Sequence, residues 1–505
     1  MRALLFTVAA CLCIGVAMRH LLESRAGLEI TRTSVGATPV TTFRLAGAAP
    51  APVVVIAHGF AGSQPLMQAF AVTLARNGYV AVTFDFPGHG RSTQPLSGGL
   101  DDVDAMQRDL LDTLDKVVAF AARVPGSDGR VGLLGHSMAA DIVVRYADRH
   151  PDVRGTVAVS LFLPSAEAFH PRNLLIVDGA LEAGMLKDQA LAIVAGDIGE
   201  QPSPGVTYGR FDEGVARRVA FARDVEHIGV LYSADSLREA LAWFDASFER
   251  SGGGFIDARG GWLGLLFLGI VALARPLSAL LPSVAAAGQA QPLRWRTFLS
   301  IALAPAILTP LILRVLPTSF LPILLGDYLA CHLALYGVLT ALFSVALRGR
   351  DATTTPMRTD RVKFVVAVVA VTAYSLLAVG LPLDAFVVSA VPPAPRVPLI
   401  GAMLLGTLPY FLADEWLVRR LAPRRGAYAT TKACLVLSLV IAIVLDPQRL
   451  FFLAIIVPAI AVLFVVYGLF SAWVGRRTRQ PLVAASANAL VFAWFIAVTF
   501  PLVSR

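Results

Sequence analysis

The sequence predicts two objects joined end to end: an α/β fold with a mainly parallel sheet and helices on both faces, then an all-α polytopic transmembrane domain. Three observations carry this. Between residues 27 and 250, short β-branched runs alternate with longer helical patterns, as in a sheet whose crossovers are helices. From Trp262 onward, apolar stretches of roughly 17–25 residues follow one another, the length a helix needs to cross a hydrocarbon core. The charge also divides there, with 23 Lys+Arg against 28 Asp+Glu in residues 1–261 and 20 against 7 in 262–505. The whole-chain figures of 505 residues, 56% hydrophobic, 15% charged and net +8 therefore average two unlike halves. They exclude one ordinary soluble domain, which carries about a quarter charged residues. The basic excess sits mostly between apolar spans, so it gives no argument for a nucleic-acid partner.

Residues 1–26 open with the apolar run Ala3–Met18, flanked by Arg2 and Arg19. This is a membrane anchor or a signal-like segment. No clear A-x-A cleavage pattern follows, which favours the anchor.

Within residues 27–250, Pro52–Ala57 reads as a buried strand ending in His58-Gly59-Phe60. A helix over 65–77 leads to a strand at Tyr79–Phe84 and the loop Asp85-Phe86-Pro87-Gly88-His89-Gly90-Arg91-Ser92. A helix near 101–123, whose acidic run Asp101–Asp115 reads as a solvated face, precedes the strand Val131–Leu134. That strand runs into Gly135-His136-Ser137-Met138-Ala139 and a helix to about 149. Strands at Gly155–Val159, Leu174–Val177 and Arg217–Ala222 and a helix at 236–248 complete the series. Only about 14 residues, Ser160–Asn173, separate the strand after Ser137 from the next, too few for a helical cap. The stretch Ala183–Ala216 reads as a long loop able to wall a pocket.

The block at 135–139 carries the chemistry. A serine between small residues, on a sharp turn from strand to helix, is a nucleophile elbow. The tight turn needs small neighbours, pushes Oγ into the open, and leaves the following helix aiming backbone N–H groups at a developing oxyanion. No metal-ligand spacing, dinucleotide fingerprint or P-loop is present, so neither metal nor cofactor is expected.

With H-G-F at 58–60, D-F-P-G-H-G-R-S at 85–92 and G-H-S-M-A at 135–139, the chain resembles the α/β-hydrolase family over about 27–250. Ala139 stands where a second glycine is more usual. The resemblance implies the chain order nucleophile, acid, histidine. Of the eight histidines, only His227 and His332 follow Leu174–Val177, and His332 lies in an apolar span, so His227 is the expected general base. The acid is Glu182, a few residues past the strand end, with Asp178 as the alternative. The resemblance also implies an oxyanion hole from the backbone N–H groups of Phe60 and Met138. His58 and His89 read as structural or pocket-lining, His136 as having no necessary role, and Asp85 as serving local backbone donors.

These residues imply acyl transfer through a serine ester: a carboxylesterase-, lipase- or thioesterase-like hydrolase, with a peptidase less favoured. The expected substrate is a small-molecule or lipid-like acyl compound. The alternative is a transporter or sensor whose hydrolase-like domain only binds ligand.

Residues 251–261 form a Gly-rich linker, and 262–505 hold about eight spans, near 262–281, 298–317, 328–347, 364–383, 397–413, 427–445, 450–474 and 481–503. Taken alternately, one set of loops holds 15 basic residues: Arg294 and Arg296; Arg348, Arg350, Arg358, Arg361 and Lys363; Arg419, Arg420, Arg424, Arg425 and Lys432; and Arg476, Arg477 and Arg479. The other set holds three, Arg396, Arg449 and Arg505. Basic loops face the cytoplasm. The expectation is a multi-pass cell-membrane protein in contact with the lipid bilayer, N-terminus inside, hydrolase domain and C-terminus outside. Cys11, Cys13, Cys331 and Cys434 all fall in spans. Arg314 and Asp327, near the outer ends of neighbouring spans, read as an interfacial pair closing a hairpin.

Overall fold

The computed structural model describes residues 2–99, 102–163, 169–251, 253–286, 293–348 and 358–504. Asp101, Arg350, Arg505 and part of the stretch Ser160–Asn173 lie outside them. The chain forms two compact units. One comprises Gly15–Leu266 with Pro382–Pro393 and residues 501–504; the other comprises residues 2–14, Phe267–Leu381 and Ala394–Phe500.

The first unit is built from these elements in order: the N-terminal helix α1 (Arg2–Glu23, shared with the second unit), β1 (Leu28–Val35), β2 (Thr38–Leu45), β3 (Ala51–Ala57), α2 (Gln68–Arg76), β4 (Val80–Phe84), α3 (Val103–Ala121), β5 (Ser127–His136), α4 (Met138–Arg149), β6 (Val153–Val159), β7 (Leu174–Gly179), α5 (Gly184–Ile198), β8 (Thr207–Tyr208), β9 (Arg217–Ala222) and α6 (Ala234–Ser247). Among the described residues they form one nine-stranded sheet, ordered β1-β2-β4-β3-β5-β6-β7-β9-β8. The run from β4 through β9 is parallel, while β1, β2 and β8 join antiparallel at the edges.

Near-continuous apolar strands make sense here because both faces are covered. In β7, Leu175 and Val177 enter the core with α2 and α6, while Leu174 and Ile176 enter the core with α4 and α5. Strand β6 divides likewise, Val157 and Val159 to one face and Ala158 to the other. This is the period-two alternation of a strand, read on both sides at once.

Two elements depart from the sequence expectation. The hairpin β1–β2 is mostly polar and threonine-rich, and β1 is largely exposed, so no apolar run marks it. The stretch after Ala183 is only partly a loop: α5 crosses from β7 to β9, burying Ala190 and Val194 beside the sheet. That stripe is too narrow to stand out in sequence.

The second unit continues with α7 (Gly260–Ser278, which begins in the first unit), α8 (Trp295–Leu313), α9 (Gly326–Leu347), α10 (Arg361–Tyr374), α11 (Leu381–Phe386), α12 (Val397–Trp416), α13 (Ala427–Leu445), α14 (Pro447–Thr478) and α15 (Pro481–Thr499). Wider π-helical turns at Ser375–Gly380 and Leu417–Leu421 extend α10 and α12. Among the described residues nine helical stretches, Leu4–Glu23 and eight after residue 259, are long and apolar enough to cross a membrane. The most enclosed is α15, whose buried alanines at 484, 485, 487, 489, 493 and 497 permit close helix approach.

Polar side chains inside this unit differ from expectation in two places. Arg314 donates to the Leu445 carbonyl, and Asp327 accepts the N–H groups of Phe320, Leu321 and Tyr328, so the expected Arg314–Asp327 pairing gives way to backbone partners. Lys432 is not a loop residue. It is buried in α13, bonded to the Asp414 carboxylate and 2.9 Å from the Tyr410 hydroxyl.

Candidate active site

Strand β5 places Ser137 where the sheet ends. Its parallel register with β3 sets Ala57 beside Gly135, so His58-Gly59-Phe60 and His136-Ser137-Met138 leave adjacent strands side by side. Ser137 adopts φ 54° and ψ −119°, a strained left-handed turn, and α4 starts at Met138. Small neighbours are a steric requirement. A Cβ on Gly135 would lie 2.3 Å from the Ala139 carbonyl oxygen, and one on Gly59 would lie 2.9 Å from the His136 oxygen. Position 139 itself accepts alanine, which is fully buried there. Met138 opens α4, so its N–H has no carbonyl to meet within the helix.

Ser137 of the elbow, His227 and Glu182 meet at this point. The Ser137 hydroxyl donates to His227 Nε2 at 3.0 Å, and His227 Nδ1–H donates to Glu182 Oε2 at 3.0 Å. The second Glu182 oxygen accepts the Ser160 hydroxyl at 2.6 Å and the Gly179 N–H at 2.9 Å. Burial works against the Glu182 carboxylate, but hydrogen bonds from His227, Ser160 and Gly179 outweigh it and hold its pKa below the usual range.

Asp178, the alternative acid, is not in this chain of bonds. It is wholly buried, with neither oxygen in a well-formed hydrogen bond. Burial, and then the neighbouring Glu182 charge, push its pKa up to about 8. The two carboxyls thus divide by environment, Glu182 held charged and Asp178 held neutral.

His136 has no necessary role by its place in the sequence, yet its Nε2 donates to the His227 backbone carbonyl at 3.0 Å. Burial, followed by the proximity of His227, lowers the His136 pKa to about 3, so the ring stays neutral. No local signal marks this contact, because its partner lies 91 residues along the chain.

The other loop residues hold the site's frame. His58 donates from Nδ1 to the Gly59 carbonyl at 2.9 Å and accepts the Phe86 N–H at Nε2 at 3.1 Å. Burial lowers its pKa against the opposing pull of Asp85. Asp85 accepts the N–H groups of Gln64 and Arg91, at 2.8 and 3.0 Å, and the Gln64 side-chain amide. His89 donates to the Pro87 carbonyl at 2.9 Å and packs against Phe60. A hydroxyl bonded to an imidazole, itself bonded to a carboxylate, can activate an alcohol for attack on an acyl carbon.

Residues 48–181 match the family described as "Serine aminopeptidase, S33". Among solved structures, the chain is similar to a "predicted CIB-like hydrolase" from Thermoplasma acidophilum. The identity is 18% over 44% of this chain and 98% of that one, with a TM-score of 0.33. It is also similar to TT1662 from Thermus thermophilus, 17% identical over 44% of this chain and 99% of that one, with a TM-score of 0.33. No curated protein matches it. With the sheet order, the elbow and the family match in place, residues 48–181 are an α/β-hydrolase domain of the serine aminopeptidase group, in a chain whose C-terminal region is a set of long apolar helices.

Proposed function

We propose that this protein is a membrane-tethered serine hydrolase that cleaves an ester, thioester or related acyl bond through a covalent acyl-enzyme. The observation that carries this reading is the unbroken chain of hydrogen bonds from Ser137 through His227 to Glu182. His227 takes the Ser137 proton at Nε2 as Oγ attacks the acyl carbon, then delivers it to the departing alcohol or thiol. A water, deprotonated by the same nitrogen, releases the acid and regenerates Ser137. Glu182 fixes the Nδ1–H tautomer and stabilises the imidazolium, and its own orientation is fixed by Ser160 and Gly179. The N–H groups of Phe60 and Met138 receive the negative charge of the tetrahedral intermediate.

The family description favours a second reading, hydrolysis of an N-terminal peptide bond by the same residues. The purified full-length protein tested on p-nitrophenyl acyl esters and on aminoacyl p-nitroanilides separates the two.

A fluorophosphonate probe tests the core of the proposal. Wild-type protein is labelled stoichiometrically, Ser137→Ala is not, and ester turnover of the variant falls roughly a millionfold. An unlabelled wild type, or a variant that keeps most activity, overturns the proposal in favour of a domain that only binds ligand. With buried Lys432 set aside, the basic residues still divide 14 to 3 between the alternate sides of the apolar helices, which supports a cytoplasmic N-terminus and an extracytoplasmic Ser137. A membrane-impermeant fluorophosphonate applied to intact cells, labelling Ser137 without lysis, is the matching test.

A further inference from the structure

Segments far away in sequence brace the loop that carries Phe60. Phe60 is followed by Ala61 at φ 55°, a left-handed conformation in a residue with a Cβ, and the turn closes through the Gly62 N–H on the Gly59 carbonyl at 3.0 Å. Such a conformation persists only where its surroundings impose it. Two of the braces come from Pro382–Pro393, which belongs to the same compact unit. The Ser389 N–H donates to the buried Ser63 hydroxyl at 2.8 Å, and Asp384 pairs with Arg91 at 2.7 Å. Arg91 in turn donates its backbone N–H to Asp85, which holds the Gln64 N–H, so a bonded path runs from Asp384 to the loop after Phe60. The second Asp384 oxygen accepts the N–H groups of Ala390 and Val391, tying the segment to itself. Residues 501–504 brace the neighbouring loop after β4. The Leu502 N–H donates to the Gly88 carbonyl at 2.8 Å, and Leu96 and Ser504 complete a short parallel pairing. A Cβ on Gly88 would lie 2.3 Å from the Leu502 oxygen.

The Arg91 and Asp384 side chains keep 40% and 18% of their surface, so the ion pair adds little to global stability. Its value is geometric. We propose that Asp384, with Arg91 and Ser63, is a positioning residue for the Phe60 N–H, so that catalytic competence of the oxyanion side depends on Pro382–Pro393. This rests on the serine-hydrolase reading above.

The test uses full-length protein in detergent and compares wild type with Asp384→Ala, the conservative Asp384→Asn, the exchanged pair Arg91→Asp with Asp384→Arg, and Ser63→Ala. Asp384→Ala is expected to lower kcat on a p-nitrophenyl ester tenfold or more with KM within about twofold, the mark of a lost transition-state interaction. Final fluorophosphonate stoichiometry at Ser137 stays unchanged, while backbone amides over 59–64 exchange hydrogen faster. Asp384→Asn and the exchanged pair recover part of kcat, and Ser63→Ala reproduces the loss by an independent route. Unchanged kcat and unchanged amide exchange in Asp384→Ala, with wild type active and labelled, overturn the positioning role alone. A fall in kcat that only tracks a lost folded fraction also overturns it. A wild type that is neither active nor labelled overturns the serine-hydrolase reading and this inference together.

Discussion

The side chain of His136 holds the main chain of His227: its Nε2–H donates to the His227 carbonyl at 3.0 Å, while the His227 ring faces Ser137. The residue preceding the serine therefore fixes the backbone from which the imidazole projects. His136→Phe should lower kcat by about 10- to 100-fold, the size of a misplaced catalytic group, with KM little changed. His136→Gln, whose amide can reach the same carbonyl, should retain most turnover. Steady-state kinetics on one ester checks both.

Glu182 and Asp178 should separate cleanly in activity. Glu182→Gln leaves the geometry but loses the charge and the tautomer control, and kcat should fall about 10⁴-fold. Asp178→Asn replaces one neutral group with another and should stay within a few-fold of wild type. Comparable losses in both variants would sink the division of roles.

Asp178 also predicts a pH dependence of stability. Its folded pKa of about 8 lies above that of an exposed carboxylate, so the folded state holds a proton the unfolded chain releases near pH 4. Stability associated with the neutral group is complete at low pH and drains away as pH rises towards 8, by about 1.4 kcal/mol per unit. Asp178→Asn removes this term. Its melting temperature should exceed that of wild type, by a margin that widens between pH 5 and pH 8.

In the helical unit, Lys432 is bonded to Asp414 and Tyr410, with its ammonium 4.7–5.2 Å from the ring centres of Tyr410, Tyr428 and Phe464. Lys432→Met leaves Asp414 buried and uncompensated and should cost about 3–5 kcal/mol. Paired Lys432→Met with Asp414→Leu should recover much of it. Thermal unfolding in detergent measures the cycle.

These residues also mark how far the sequence could be read. Ser137 was legible because the elbow is local, with strand, small residues and helix adjacent in the chain. Chain order pointed to His227 and a place just past the strand end to Glu182, while the apolar helices after residue 259 followed from length and composition alone. Long-range contacts were not legible. Lys432 counts as one more cytoplasmic charge until Asp414, 18 residues earlier, is seen to face it. Helix α5 and the β1–β2 hairpin are stabilised by what they pack against, so their own patterns were faint.

The pairing of Leu502 with the Gly88 loop has a consequence for biogenesis. A ribosome making this chain emits Ser137, His227 and Glu182 early, but residues 501–504 emerge only after α15. The unit begun at Gly15 therefore waits for the whole helical region before its last strand contact can form. A truncation that keeps every residue of the hydrogen-bonded trio would still release an unfinished domain, with the glycine at 88 turned towards a neighbour that never arrives.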